Sequence, residues 1–266
     1  MRPSPATRIL AFALLTWTSA FATTDAATAY QPRIDADGWE VLFDGKNLDA
    51  WDYEPASSVW EITPQGELHP IKPKPDLTSK RRYCDFALEL DFKMAAKQQS
   101  NSGVFFRVHD PKDPINTGMQ MQILDNADYN VPFDALNANG ALYGLVRPAV
   151  DANVPIGQWN HARIMANDHN IVLELNGKRV VNADLNTWTT SSGKTLYPLG
   201  LLPREGFIVL ENYGAVPMWF RNIRIKPLTN RKPQHSGKEP IGNVLRKLQS
   251  DTRGANATRG TKAEGE

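Results

Sequence analysis

The chain has 266 residues, 41% of them apolar and 22% charged, with a net charge of +1. These are globular values for one large domain or two small ones, and they give no reason to expect nucleic acid or an anionic membrane as partner. A single cysteine, Cys84, excludes an intrachain disulfide, so stability has to come from a packed core.

The N-terminus reads as an export signal. Arg2 and Arg8 precede the apolar run Ile9 to Trp17, and Ala20-Phe21-Ala22 fits an A-x-A cleavage site. Residues 1–22 are therefore expected to be a signal peptide, leaving a secreted or periplasmic protein with no membrane segment in its mature form. An uncleaved anchor is the other reading.

From Gly38 onward the pattern is all-β. Glu40 to Phe43 is a short strand followed by the turn signal Asp44-Gly45-Lys46-Asn47, and Val59 to Ile62 is another, closed by Pro64-Gln65-Gly66. Pro70 to Pro75 holds three prolines in six residues and cannot be a central strand. Phe86 to Phe92 alternates, with Phe86, Leu88, Leu90 and Phe92 on one face and Glu89 and Asp91 on the other. Cys84, at the head of that strand, reads as a buried small residue.

Two further strands, Gly103 to Val108 and Met119 to Asp125, organise the rest. Met119, Met121 and Ile123 share one face of the second strand, and Gln120 and Gln122 share the other. With Arg107 beside them and Asp125 following, they read as a polar wall; a half-buried strand with a wet outer face is the plainer alternative. Ala162 to Ala166, Asn170 to Leu175 and Lys178 to Val181 follow, the last two joined by the Asn176-Gly177 hairpin signal. Gly206 to Leu210 and Trp219 to Ile225 complete the set. Many strands joined by turns predict a two-sheet jelly-roll β-sandwich over residues 38–228. Residues 229–266, rich in Lys, Arg, Gly, Asn and Thr, are expected to be a disordered basic tail.

The sequence contains no HExxH, GxSxG, P-loop or strand-to-helix GxGxxG motif. Its five histidines lack metal-ligand spacing, and His109, directly after the Gly103 to Val108 strand, is the one placed for a site. A glycosidase needs two carboxylates roughly 5 to 9.5 Å apart, for which Asp125, Asp128 and Glu211 are candidates.

An ordered series of segments resembles the 3-keto-disaccharide hydrolase, or 3-keto-glycoside lyase/hydratase, domain family. It comprises Gly38 to Leu48 with Trp51, Tyr83 to Phe92, Asn101-Ser102-Gly103 through Arg107, Gly118 to Asp125, Gly140-Ala141-Leu142-Tyr143, Gly157 to Asn160, Leu175-Asn176-Gly177, and Phe220 to Ile225. The resemblance implies a concanavalin A-like or laminin G-like jelly roll. It also implies a carbohydrate ligand, and chemistry in which a base removes the proton at C2 beside a C3 ketone, the C1 group leaves, and water adds back.

On that resemblance Asp125 is the expected base, Arg107 the group that stabilises the enolate oxygen, and Tyr143 a donor to the leaving oxygen. Gln120, Gln122, Asn101, His109, Glu211, Asn212 and Tyr213 are expected to bind substrate. No cofactor is expected; a divalent metal is compatible with the resemblance, although no ligand cluster argues for one.

Two departures stand out. The family strand usually carries Glu where this chain has Gln120, and its closing segment usually reads QDHG where this chain has Glu211-Asn212-Tyr213-Gly214. The expectations are therefore an exported 3-keto-glycoside hydrolase or lyase, a non-catalytic carbohydrate-binding module of the same fold, or an interaction domain with no sugar ligand.

Overall fold

The computed structural model describes residues 30–52, 59–188 and 199–228. The export signal expected at 1–22 and the basic tail expected at 229–266 lie outside the described residues. Thirteen strands occur among them: β1 (Glu40–Phe43), β2 (Trp51–Asp52), β3 (Trp60–Ile62), β4 (Leu68–Pro70), β5 (Leu77–Tyr83), β6 (Phe86–Met94), β7 (Asn101–Val108), β8 (Met119–Leu124), β9 (Trp159–Asn167), β10 (Asn170–Leu175), β11 (Lys178–Asp184), β12 (Gly206–Leu210) and β13 (Met218–Pro227), with one helical turn, α1 (Pro114–Thr117), between β7 and β8.

The strands form two antiparallel sheets. Sheet A runs β11-β10-β9-β6-β13-β4-β3, with β1 also paired to β13; sheet B runs β2-β5-β12-β7-β8. This is the two-sheet jelly-roll architecture that the strand pattern predicts. The core between the sheets takes the inward half of each alternating strand. Phe86, Leu88, Leu90 and Phe92 of β6 meet Val104 and Phe106 of β7, Met121 and Ile123 of β8, and Phe220 and Ile225 of β13. Asn176 and Gly177 take positive φ at the β10–β11 turn, the hairpin geometry their types favour.

Besides the short β2 and β4, the seven-residue β5 escapes a reading based on apolar alternation. Its Leu77 and Tyr83 are buried, but Lys80, Arg81 and Arg82 between them are exposed. A break in register against β12 between Thr78 and Arg82 disturbs the period that would have announced it.

Two buried carboxylates tie the sandwich together. Glu40 of β1, 1% exposed, accepts from Arg81 Nη1 at 2.7 Å, Tyr83 Oη at 2.9 Å and Tyr30 Oη at 3.3 Å, joining sheet A to sheet B. Asp85, in the β5–β6 connection, accepts from Arg107 Nη2 at 3.2 Å, Arg204 Nη2 at 2.9 Å and the Asp168 amide at 3.0 Å. Cys84 beside it is half-buried, and burial together with the Asp85 charge pushes its thiol above the usual range, as suits an unreactive residue. No helix among the described residues is long and apolar enough to cross a membrane.

Candidate functional site

The site is built on the face of sheet B that is turned away from the core. Met119, Met121 and Ile123 of β8 point inward, so alternation turns Gln120 and Gln122 outward. On β7, Phe105 faces outward and packs with Val108 and Val209 against Phe207. The register sets Gln120 opposite Phe105 and Gln122 opposite Gly103. On the other side of β7, Glu211 follows directly after β12 and donates its backbone N–H to the Gly103 carbonyl at 2.9 Å.

Gln120 and Glu211 meet across β7. Gln120 Nε2 donates to Glu211 Oε2 at 2.8 Å, with the two residues only 3% and 7% exposed. The bond passes over Gly103: a Cβ there would lie 2.8 Å from both Cγ and Cδ of Gln120, so glycine supplies the slot in which the glutamine lies. A hydrogen bond to a charged acceptor contributes about 1.5–3 kcal/mol, and it fixes which way the carboxylate points.

Glu211 lines a cavity of about 420 Å³ whose floor includes Phe105 and Thr78. One wall is Lys74-Pro75-Asp76; the other is Pro111 to Ile115, which includes the first residues of α1. Thr117 holds that second wall closed, with Oγ1 donating to the Asp113 carbonyl at 2.7 Å and accepting from the Asp110 amide at 3.0 Å. Asp76 is fixed by Lys74 Nζ at 2.9 Å and by the Asn212 amide at 2.9 Å. The cavity thus offers three carboxylates, Asp76 held by Lys74, Asp113 held by Asn116 and Glu211 aimed by the Gln120 amide, together with apolar Ile115 and a second lysine, Lys112.

Several predicted residues assemble around this pair. The segment after β8 returns along the sheet edge, where Leu142 bridges Met121 and the Tyr143 amide donates to the Gln120 carbonyl at 2.9 Å. Leu142 is core, so Tyr143, half-buried, falls on the Gln120 side. Gln122 Nε2 donates to Asn101 Oδ1 at 3.1 Å and extends the polar wall. His109 opens the loop that forms the cavity's second wall, its amide bonded to the Thr117 carbonyl at 3.0 Å.

Others are elsewhere. Asp125 is 2% exposed and caps the turn after β8, Oδ1 accepting from the amides of Ala127 at 3.1 Å and Asp128 at 3.3 Å. It shares the parity of Met121 and Ile123, not that of the glutamines, so the expected base is a turn cap. Arg107 is 1% exposed, and its guanidinium is bound to Asp85 and to the Cys84 carbonyl, both in the β5–β6 connection. The cause is a bulge: β7 uses three steps from Phe105 to Val108 where β12 uses two from Phe207 to Val209, and Arg107 takes φ +52°. Its expected role beside Gln120 is thereby corrected to a buried ion pair. Asn212 is committed to main-chain groups, with Nδ2 donating to the Lys72 carbonyl at 2.7 Å and Oδ1 accepting from the Ala215 amide at 2.9 Å. Tyr213 is 53% exposed. Lys74, Asp76 and Lys112 were not foreseen, since they stand in proline-rich or loop sequence that carries no strand period. Among the described residues no group of three or more His, Cys, Asp or Glu is placed to hold a metal ion.

Comparison with known proteins now bears on this cleft. The family model for the 3-keto-alpha-glucoside-1,2-lyase-like domain matches residues 38–226. A Bacteroides thetaiotaomicron protein named 3-keto-disaccharide hydrolase is 29% identical over 237 residues, covering 73% of this chain and 80% of its own. A crystal structure named for a glycosyl hydrolase of Parabacteroides distasonis superposes with a TM-score of 0.62 at 35% identity, covering 71% of this chain and 99% of that one. A second from the same organism superposes at 0.59 with 23% identity, covering 73% and 96%, and bears on the fold alone. The chain belongs to the 3-keto-alpha-glucoside-1,2-lyase-like domain family, a carbohydrate-active family of glycosyl hydrolase type.

Proposed function

We propose that the chain is an exported enzyme that cleaves 3-keto-glycosides in the cleft over sheet B, with Glu211 as its base. The observation that carries this reading is the buried hydrogen bond from Gln120 to Glu211, which leaves one oriented carboxylate on the wall of a cavity large enough for a sugar ring. The name of the Bacteroides relative and the expected signal peptide support the substrate class and the export.

A ketone at C3 acidifies the hydrogen on C2. Glu211 takes that proton, and the C2–H electrons pass into an enolate whose charge rests on the C3 oxygen. Lys112, on the cavity wall, supplies the positive charge expected of Arg107, while Lys74 is paired with Asp76. The enolate collapses, C3=O and C1=C2 form, and the C1–O bond breaks with its electron pair leaving on the aglycone oxygen. Tyr143, beside Gln120, donates the proton that oxygen needs. Water then adds at C1, giving up one proton to the Tyr143 phenolate, and Glu211 returns its proton to C2, completing a net hydrolysis with both residues restored. Thr78 and the exposed Ile115 offer the ring its contact surface, with Phe105 fully buried beneath.

The test is turnover of a 3-keto-α-glucoside by the mature protein and by Glu211→Gln. Loss of a general base costs about 10²–10⁴ in rate, so the variant should be nearly inactive while still binding. Binding without turnover by the unaltered protein would instead indicate a carbohydrate-binding module. That second reading is favoured by one observation: Asn212 and Tyr213 stand where the family motif has Asp and His, and neither joins the cavity lining.

A further inference from the structure

The outer face of sheet A, on the opposite side of the sandwich from the cleft, carries a second cavity of about 420 Å³. It lies where β13 breaks register. Between Arg221 and Arg224 the pairing with β6 slips, and between Val41 and Phe43 the pairing of β1 slips as well. Asn222 sits inside this double irregularity at φ +53°, a conformation that costs energy for a residue with a side chain and recurs at ligand sites.

Half-buried Val41 gives the cavity an apolar edge, while Phe43 and Ile223, each 2% exposed, belong to the core beneath it. Its polar side is a connected network. Asp91 Oδ1 lies 2.8 Å from His161 Nδ1, and Asp91 Oδ2 accepts from Asn222 Nδ2 at 2.8 Å and Arg221 Nε at 3.2 Å. Glu89 Oε2 accepts from Arg224 Nη2 at 2.8 Å and Nε at 3.1 Å. Two indoles brace the arginines: the Arg221 guanidinium lies 3.9 Å from the centre of the Trp159 ring, and that of Arg224 lies 4.6 Å from the Trp39 ring. Among the described residues no hydrogen bond reaches Asn222 Oδ1 or His161 Nε2, so an acceptor and a ring nitrogen remain for a ligand at the rim.

We propose that this cavity is a second saccharide-binding site, which takes one pyranose ring of a neutral, unoxidised glycoside. The chemistry selects that class. A pyranose has an apolar C–H edge for Val41, and hydroxyls that both give and accept hydrogen bonds for Asn222, His161 and Arg224. Charge selects against ionic ligands, because every carboxylate here already has a cationic partner: Asp91 with His161 and Arg221, Glu89 with Arg224, and Asp44 with Arg33 at 2.7 Å. Paired groups are also held in place, so little ordering is needed when a ligand arrives. A site facing away from the cleft would hold a longer glycan to the protein without competing with the sugar in the cleft, and it does not depend on the reaction proposed above.

The experiment is a titration of the ¹⁵N-labelled mature protein with maltotriose and, separately, with trehalose, following the indole signals of Trp159 and Trp39 and the ring nitrogens of His161. Neither probe carries a ketone, so the proposed reaction does not consume them. The expected result is saturable shifts with Kd on the order of 1 mM. These should weaken at least about tenfold, to a Kd on the order of 10 mM, in both Asn222→Gly, which keeps the left-handed backbone, and His161→Ala. They should persist in Glu211→Gln. Absence of shifts with both sugars overturns the proposal. So do shifts that survive in both cavity variants, or that vanish in Glu211→Gln, since they would then report the cleft.

Discussion

Replacing Asp85 by alanine should cost the fold more than almost any other single change. Asp85 is 4% exposed and accepts hydrogen bonds from Arg107, Arg204 and the Asp168 amide. Burial lowers Arg107 to about 10, with the Asp85 charge opposing that shift, so the guanidinium is still ionised at neutral pH. Removing the carboxylate leaves that cation inside the sandwich without its counter-charge, a loss of about 3–5 kcal/mol. At about 2–4 °C per kcal/mol for a domain of this size, the melting temperature should fall by about 6–20 °C. Urea and thermal unfolding of Asp85→Ala measure this. The double variant Asp85→Leu/Arg107→Met should regain part of the loss, because the Arg107 charge is gone while Arg204, still paired with Asp168, and the Asp168 amide lose their acceptor. A loss below about 1 kcal/mol in the single variant would refute the assignment of Arg107 as a buried structural cation.

Three further outcomes follow from named contacts. Gly103→Ala pushes the Gln120 side chain off Glu211 and should lower stability by about 1–3 kcal/mol in urea unfolding, with a fall in turnover. Tyr30 is pushed up to about 12 by burial and then by Glu40, so Glu40→Gln should bring its phenol ionisation down in an ultraviolet pH titration. His161 is raised above its ordinary 6.5 by its hydrogen bond to Asp91, while burial, which alone would raise Asp91, is outweighed by the bonds from His161, Asn222 and Arg221 that hold it below 3.8. The stabilisation from His161 is therefore complete below pH 6.5 and fades as pH rises through its raised value; that from Asp91 is complete above 3.8 and fades as pH falls through its lowered value. An NMR titration should place the His161 midpoint above 6.5, and Asp91→Asn should lower it.

Alternation made most of the sandwich legible. β6, β8 and β10 send every second residue into the core between the sheets in the period their sequences display, and the Asn176-Gly177 turn sits where the residue types put it. The outward position of Gln120 and Gln122 followed from the same period. Asp125 could have been excluded by it as well, since it shares the parity of Met121 and Ile123. Arg107 could not, because the bulge that turns it away depends on how β12 pairs with β7. Lys74, Asp76 and Lys112 reach the cleft from loops, whose course no local pattern specifies.

The contact between Gln120 and Glu211 also needed three dimensions. Residue by residue, the chain departs from the family motif at positions 120, 211, 212 and 213, and two of these changes are Gln for Glu at 120 and Glu for Gln at 211. In space these two positions are hydrogen-bonded to each other, so the pair consists of one carboxylate and one amide, the carboxylate lying at 211. On the proposed mechanism, the carboxylate at 211 takes the place of the one absent at 120. If so, the reciprocal variant Gln120→Glu/Glu211→Gln should retain more turnover than Glu211→Gln alone.

The most direct test of the account compares turnover of a 3-keto-α-glucoside by Glu211→Gln and by a folded Asp125→Asn variant. The account predicts a loss of about 10²-fold or more for Glu211→Gln. Asp125→Asn should turn over at close to the original rate, because its carboxylate caps a turn. Full activity in Glu211→Gln together with collapse in Asp125→Asn would contradict it and return the base to the end of β8.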